Sequence, residues 1–151
     1  MAELKARIES DMRASVKAQD VVRRDTLRFA LAAVHNEEVE RRRELTDEEI
    51  VGVLAKQAKM RRESIEAFGK GGRADLVAKE TAELRVIEGY LPQQMGRDEI
   101  ASLARAAIAD TGAASPQEQG KVMQKLMPQL KGRAEGKVVA EVVASLLRGA
   151  S

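Results

Sequence analysis

The residues in this sequence best suited to chemistry are five cations between Gln119 and Lys137. They are Lys121, Lys125, Lys131, Arg133 and Lys137, with Glu135 the one acid among them. Cations at this density contact phosphates, and duplex RNA is read largely through its backbone and shape. The elements that must hold them follow from spacing. Val122, Met123, Leu126, Met127 and Leu130 recur at helical intervals, so one face of this stretch is expected to be buried. Lys121 and Lys125, four apart, are neighbours on a helix surface. Gly132 is expected to stop the helix, because glycine enters the left-handed conformation without a side-chain clash. Val138, Val139, Val142, Val143, Leu146 and Leu147 then begin a second apolar run. Two helices joined by so few residues are expected to pack antiparallel and bring the five cations to one neighbourhood. The plain alternative is a solvated basic face balanced by nearby acids.

The other charged stretches offer less. Arg41, Arg42 and Arg43, with Lys56, Lys59, Arg61 and Arg62, interleave with Glu37, Glu38, Glu40, Glu44, Glu63 and Glu66. That pattern predicts a helix surface laced with ion pairs. Gly69-Lys-Gly-Gly-Arg73 has the wrong order for a nucleotide-binding P-loop, which ends in Gly-Lys-Ser/Thr after a strand, and it reads as a helix–helix turn. His35 is the only histidine, so no multi-histidine metal site is expected, and the chain has no cysteine. Glutamine-dependent amidation would need an ammonia-releasing amidase and an ATP-using activation site, and neither signature is present. No catalytic residue, metal ligand or cofactor is therefore assigned.

Bulk composition sharpens this. Of 151 residues, 44% are hydrophobic, 33% charged and 2% aromatic, the last being Phe29, Phe68 and Tyr90. So few aromatics argue against single-strand binding by base stacking. The net charge is +2, and residues 1–95 carry 18 basic and 18 acidic side chains, so the excess lies wholly in residues 96–151. No run approaches membrane-spanning length, and the opening residues include charged Glu3, Lys5 and Arg7 without an apolar signal region. A cytoplasmic protein with no membrane partner is expected from this.

Helical periodicity accounts for most of the remainder. Leu4, Ile8, Met12 and Val16 predict a first helix to about Ala18. Leu27, Ala30, Leu31, Val34 and Val39 predict a second to about Arg43. Thr46-Asp-Glu-Glu49 reads as a capping box opening a third helix with Ile50, Val53, Leu54, Ala58, Ile65 and Phe68 inward. A fourth helix starts near Arg73 and ends near Tyr90, ahead of Leu91-Pro92. A fifth has Gly96 at its N-cap and Ile100, Leu103, Ala104, Ala107 and Ile108 inward. Ser115-Pro-Gln-Glu118 reads as a second capping box. Pro128 is expected to kink or tighten the last turn of the sixth helix. No strand pattern appears. The expectation is an all-α protein with about four N-terminal helices in residues 1–91 and a small three-helix bundle in residues 96–151.

The order of these signals resembles the YqeY family. Gly-Arg-Ala-Asp-Leu76, Tyr-Leu-Pro-Gln-Gln94, Asp-Glu-Ile100, Gly-Lys-Val-Met123 and Lys-Gly-Arg-Ala-Glu-Gly-Lys-Val138 carry the resemblance over nearly the whole chain. The last three helices are also similar to the tail domain of the B subunit of the aspartyl/glutamyl-tRNA amidotransferase. The family usually places Asp or Asn where this chain has Glu135. The resemblance implies an all-α fold and kinship with a module that helps hold tRNA. A non-catalytic tRNA or structured-RNA binding module is the resulting expectation, with no DNA partner. The alternatives are an accessory subunit of a glutamine-dependent carbon–nitrogen ligase acting on aminoacyl-tRNA, with amidotransferase components as partners, or a protein-interaction module.

Overall fold

Seven helices and one 3-10 turn form the chain in the computed structural model, which describes residues 2–130 and 132–149. They are α1 (Glu3–Lys17), α2 (Val21–Arg41), α3 (Asp47–Lys70), α4 (Ala74–Glu88), α5 (Arg97–Thr111), the 3-10 turn (Pro116–Glu118), α6 (Gln119–Leu130) and α7 (Gly136–Arg148). Among the described residues there is no strand, and the fold is all-α. Two compact units result, Met1–Leu91 and Pro92–Ser151.

In the first unit α1 pairs with α2, α3 with α4, and α2 also packs on α4. Ile8, Leu27, Val34, Ile50, Leu54 and Ile87 are sealed from solvent between them. Each such side chain contributes about 1.5–3 kcal/mol by leaving water. The helix ends are fixed by side chains. Thr46 Oγ1 accepts from the Glu49 amide at 3.2 Å while Glu49 Oε1 accepts from the Thr46 amide at 3.1 Å, the reciprocal box read from the sequence. Arg43 grips the same carboxylate with two bonds of 2.8 Å, and Arg41 adds a third guanidinium contact. Arg43 first, then the Thr46 amide, hold Glu49 well below the usual carboxylate range. Gly72, at φ +71°, lets the Arg73 amide turn back to the Phe68 carbonyl at 2.9 Å and stop α3.

Tyr90 closes this unit. Its hydroxyl donates to Asp11 Oδ2 at 2.6 Å and accepts from Arg23 Nη2 at 3.0 Å. The Arg7 guanidinium lies 4.8 Å from the ring centroid. The residue before Leu91-Pro92 is thus tied to both α1 and α2.

Two apolar stripes end on a residue rotated off the buried face, by repeated steps of four in α1 and by one step of five, about 140°, in α2. Steps of four advance about 40° beyond a full turn, so a stripe of such steps drifts off its face. Val16 is consequently exposed, while Ser15 is buried and donates to the Met12 carbonyl at 2.6 Å. Val39, five residues beyond Val34, is likewise exposed rather than inward.

In the second unit α5, α6 and α7 pack on one another around Ile100, Ala104, Val122, Leu126, Leu130, Val139 and Val143. Gly96 caps α5, and Gly112, at φ +70°, ends it. The second capping box does not form as expected. Ser115 opens a 3-10 turn without a side-chain cap bond, and Glu118 Oε2 accepts instead from the Ala114 amide at 2.6 Å. The tighter 3-10 winding changes which amide Glu118 meets. Pro128 lies inside α6, which continues as α-helix to Leu130.

Candidate nucleic-acid interface

α6 begins where the 3-10 turn hands over at Gln119, whose side-chain amide donates to the Ala140 carbonyl of α7 at 3.3 Å. With Val122, Leu126 and Leu130 buried, the opposite face of α6 meets solvent. Lys121 and Lys125 are both exposed there, one helical turn apart. Lys125 Nζ lies 3.5 Å from Asp110 Oδ2 at the end of α5, an ion pair between two well-exposed side chains and therefore a weak one. Among the described residues Lys121 has no ion-pair partner. Beside it, Gly120 is exposed, and a β-carbon added there would meet nothing within 4 Å. Packing within the unit does not require glycine at that position.

The remaining cations divide. Lys137 is exposed on the first turn of α7, again without an ion-pair partner among the described residues. Lys131 lies outside the described residues. Arg133 is engaged within its own unit. Its Nε donates to the Gln93 carbonyl at 3.2 Å, and its Nη2 lies 4.0 Å from Glu99. Its own carbonyl accepts from the Met95 amide at 2.8 Å, and the neighbouring Gly132 carbonyl accepts from the Gln94 side chain at 3.2 Å. These bonds lace residues 93–95 to the turn between α6 and α7. Gly132, at φ +78°, makes that turn possible.

The described cations thus have different surroundings. Leu130 is nine positions beyond Lys121, about 13 Å along α6 at helical rise. Lys121 and Lys125 form one pair, Lys137 stands on the next helix, and Arg133 works as a clasp. Gln93 and Gln94 stood in the sequence only as part of the Tyr-Leu-Pro-Gln-Gln94 motif, with no role assigned, and Asp110 was not singled out. α7 starts at Gly136 with Glu135 as N-cap, and the Glu135 side chain makes no cap bond to the helix.

Of the basic residues of the first unit that interleave with acids, Arg41, Arg43, Arg61 and Arg62 are paired, and Arg42, Lys56 and Lys59 have no ion pair among the described residues. Arg41 meets Glu37 at 2.9 Å, Arg61 meets Glu83 at 3.6 Å, and Arg62 meets Glu88 at 3.3 Å. His35 is exposed on α2. No helix among the described residues is long and apolar enough to cross a membrane.

Residues 5–147 match the family described as Yqey-like protein. The chain belongs to this family. Among its relatives are proteins named "Altered inheritance of mitochondria protein 41, mitochondrial". The one from Pyrenophora tritici-repentis is 30% identical over 130 residues, covering 85% of this chain and 71% of the relative. The Eremothecium gossypii protein is 34% identical over 87 residues, which are 57% of this chain and 48% of that one. The Kluyveromyces lactis protein is 30% identical over 132 residues, 82% of this chain and 71% of its own. This YqeY-like chain thus spans between about half and 71% of the relatives' lengths.

These names correct the cytoplasmic expectation, since the relatives are called mitochondrial. The expectation rested on the charged residues at the start of this chain, whereas the matched relatives extend well beyond the part it aligns with.

Proposed function

We propose that this YqeY-like chain is a non-catalytic module that binds tRNA or similarly structured RNA through α6 and α7. Lys121, Lys125 and Lys137 are the phosphate contacts. The observation that carries the reading is the exposed Lys121–Lys125 pair on one face of α6. It has a single weakly held counter-ion, Asp110, and open space over Gly120. A phosphate can replace Asp110 at Lys125 at little cost, and the bare backbone at Gly120 allows close approach. Family membership accords with this reading through the kinship described above.

The test is the salt dependence of RNA affinity. Each neutralised phosphate releases counterions, so log affinity falls with log salt by roughly 0.9 per contact on a duplex. Lys121→Ala with Lys125→Ala should make that slope shallower by up to about two units, with similar losses across tRNA sequences. Lys56→Ala with Lys59→Ala on α3 should change it much less. Equal slopes for wild type and the α6 double variant would refute the site. Gly120→Ala is an independent probe, expected to leave the melting temperature unchanged or raised while weakening RNA binding.

A further inference from the structure

The first unit carries an open groove of about 390 Å³ between α2, α3 and α4 that the RNA reading does not use. Phe29 of α2 and Met60 of α3 flank it, 62% and 56% exposed. These are large apolar side chains left in water although a core lies one helix face away. Aromatic residues, methionine and arginine are also the types enriched at protein interface centres. Arg61, whose side chain is only 11% exposed, also lines the groove, its guanidinium carbon 5.8 Å from the Phe29 ring centroid. Its Nε is buried without a hydrogen-bond acceptor, 3.6 Å from Glu83. A buried donor without an acceptor is costly and uncommon.

The charges around the groove narrow what can cover it. Asp25 is bonded to Arg24 at 2.9 Å, and Glu83 is set against Arg61. That leaves Lys79 and Glu80, adjacent on α4, with no ion-pair partner among the described residues. The groove is thus close to neutral, with one free charge of each sign. Three carboxylates in the lining, against Arg61 and Lys79, disfavour a polyanion, and with Asp25 held by Arg24 so small a net charge gives a strongly basic or acidic partner little purchase. A contact between two identical copies about a two-fold axis sets a surface against itself, so that surface must be self-complementary. A neutral rim with one free cation beside one free anion around an apolar pair meets that condition. We infer that the α2–α3–α4 groove is a homodimer contact that seats a second copy of this chain. Phe29 and Met60 form its dry centre, and Lys79 of each copy faces Glu80 of the other. Closure also brings acceptors from the second copy toward the Arg61 Nε.

Sedimentation equilibrium of the full chain, from low micromolar to near-millimolar concentration, tests this. Wild type should show a reversible monomer–dimer equilibrium. Phe29→Ser should weaken the dimer at least about tenfold, the change expected when a central aromatic anchor is lost. Its circular-dichroism melting curve should barely move, since the ring is exposed. Lys79→Glu alone should weaken association several-fold, and Lys79→Glu with Glu80→Lys should restore it, because opposite charges again face each other. A chain that stays monomeric throughout would overturn the inference. So would a dimer untouched by Phe29→Ser, which would place the contact elsewhere. Failure of the double reversal to restore association would remove the two-fold register. RNA binding lies on the other unit and is measured separately, so either proposal can fail alone.

Discussion

Removing the Tyr90 hydroxyl isolates the tie between the end of α4 and the first two helices. In Tyr90→Phe the ring stays buried and the Arg7 stacking survives, while two hydrogen bonds are lost, at 2.6 Å to Asp11 and 3.0 Å from Arg23. A bond to a charged group contributes about 1.5–3 kcal/mol in favourable cases. Arg23 is 39% exposed and Asp11 33%, so water replaces part of each bond. Asp11 and Arg23 also remain 3.7 Å apart and can satisfy each other in the variant. The expected loss is therefore about 1–2 kcal/mol, near the ordinary hydrogen-bond value rather than the charged one. Urea unfolding followed by circular dichroism reads it as a lower midpoint at unchanged slope. The variant should also lose an alkaline transition. Burial first, then the bond to Asp11, push the Tyr90 hydroxyl up from 10.0 to about 12. A group with a raised folded-state value contributes stability fully below its unfolded value. That contribution is lost as pH climbs from 10.0 to about 12. A Tyr90→Phe midpoint within about 0.3 kcal/mol of wild type would show that the hydroxyl network is incidental and that ring burial alone fixes the joint.

Three further changes have defined outcomes. Gly52 lies inside α3 with nothing within 4 Å of an added β-carbon, so Gly52→Ala should raise stability by about 0.5–1 kcal/mol in thermal unfolding. Glu38 is held below its usual 4.5 by the Lys5 ammonium at 2.7 Å and then the Leu45 amide, so its stabilisation is present above pH 4.5 and lost as pH falls below it. Glu38→Gln should flatten the urea-midpoint profile in that acid window, and an unaltered profile would assign the acid loss elsewhere. Arg133→Ala removes the bond to the Gln93 carbonyl, and tryptic cleavage at Arg97 should accelerate as residues 93–95 loosen.

The helices were legible because their signals are local. Thr46 and Glu49 sit three apart and cap α3 as read, and Gly132 takes the left-handed conformation expected of it. What periodicity handles poorly is the far end of a stripe, where Val16 and Val39 rotate into solvent and Ser15 turns inward. Bonds between residues distant in sequence were invisible. Nothing in the order of residues pairs Arg133 with Gln93, forty positions away, or Lys125 with Asp110. A lone charge in a sequence reads as available. Only packing shows which charges already have partners.

That distinction bears directly on where a phosphate could bind. In the first unit the arginines nearest to acids are answered, Arg41 and Arg43 by Glu49, Arg61 by Glu83, Arg62 by Glu88 and Arg73 by Asp75, as is Lys5 by Glu38, while others such as Lys56, Lys59 and Lys79 have no ion pair among the described residues. A phosphate arriving at an answered cation must displace a carboxylate already in place, and the local field it feels is nearly cancelled. In the second unit Arg97 is matched by Glu141 and Arg133 is drawn into the clasp, which leaves Lys121, Lys137, Arg105, Arg148 and the loosely paired Lys125 facing solvent. The first unit balances its 18 cations with 18 acids, whereas the second carries 8 cations against 6 acids, so net charge favours the second. Within the second unit, an unpaired exposed lysine gains more from a phosphate than a paired arginine does. The same reasoning removes Arg133 from the contact set. Its replacement should loosen residues 93–95 far more than it alters the salt slope of RNA binding, whereas Lys121→Ala should do the reverse.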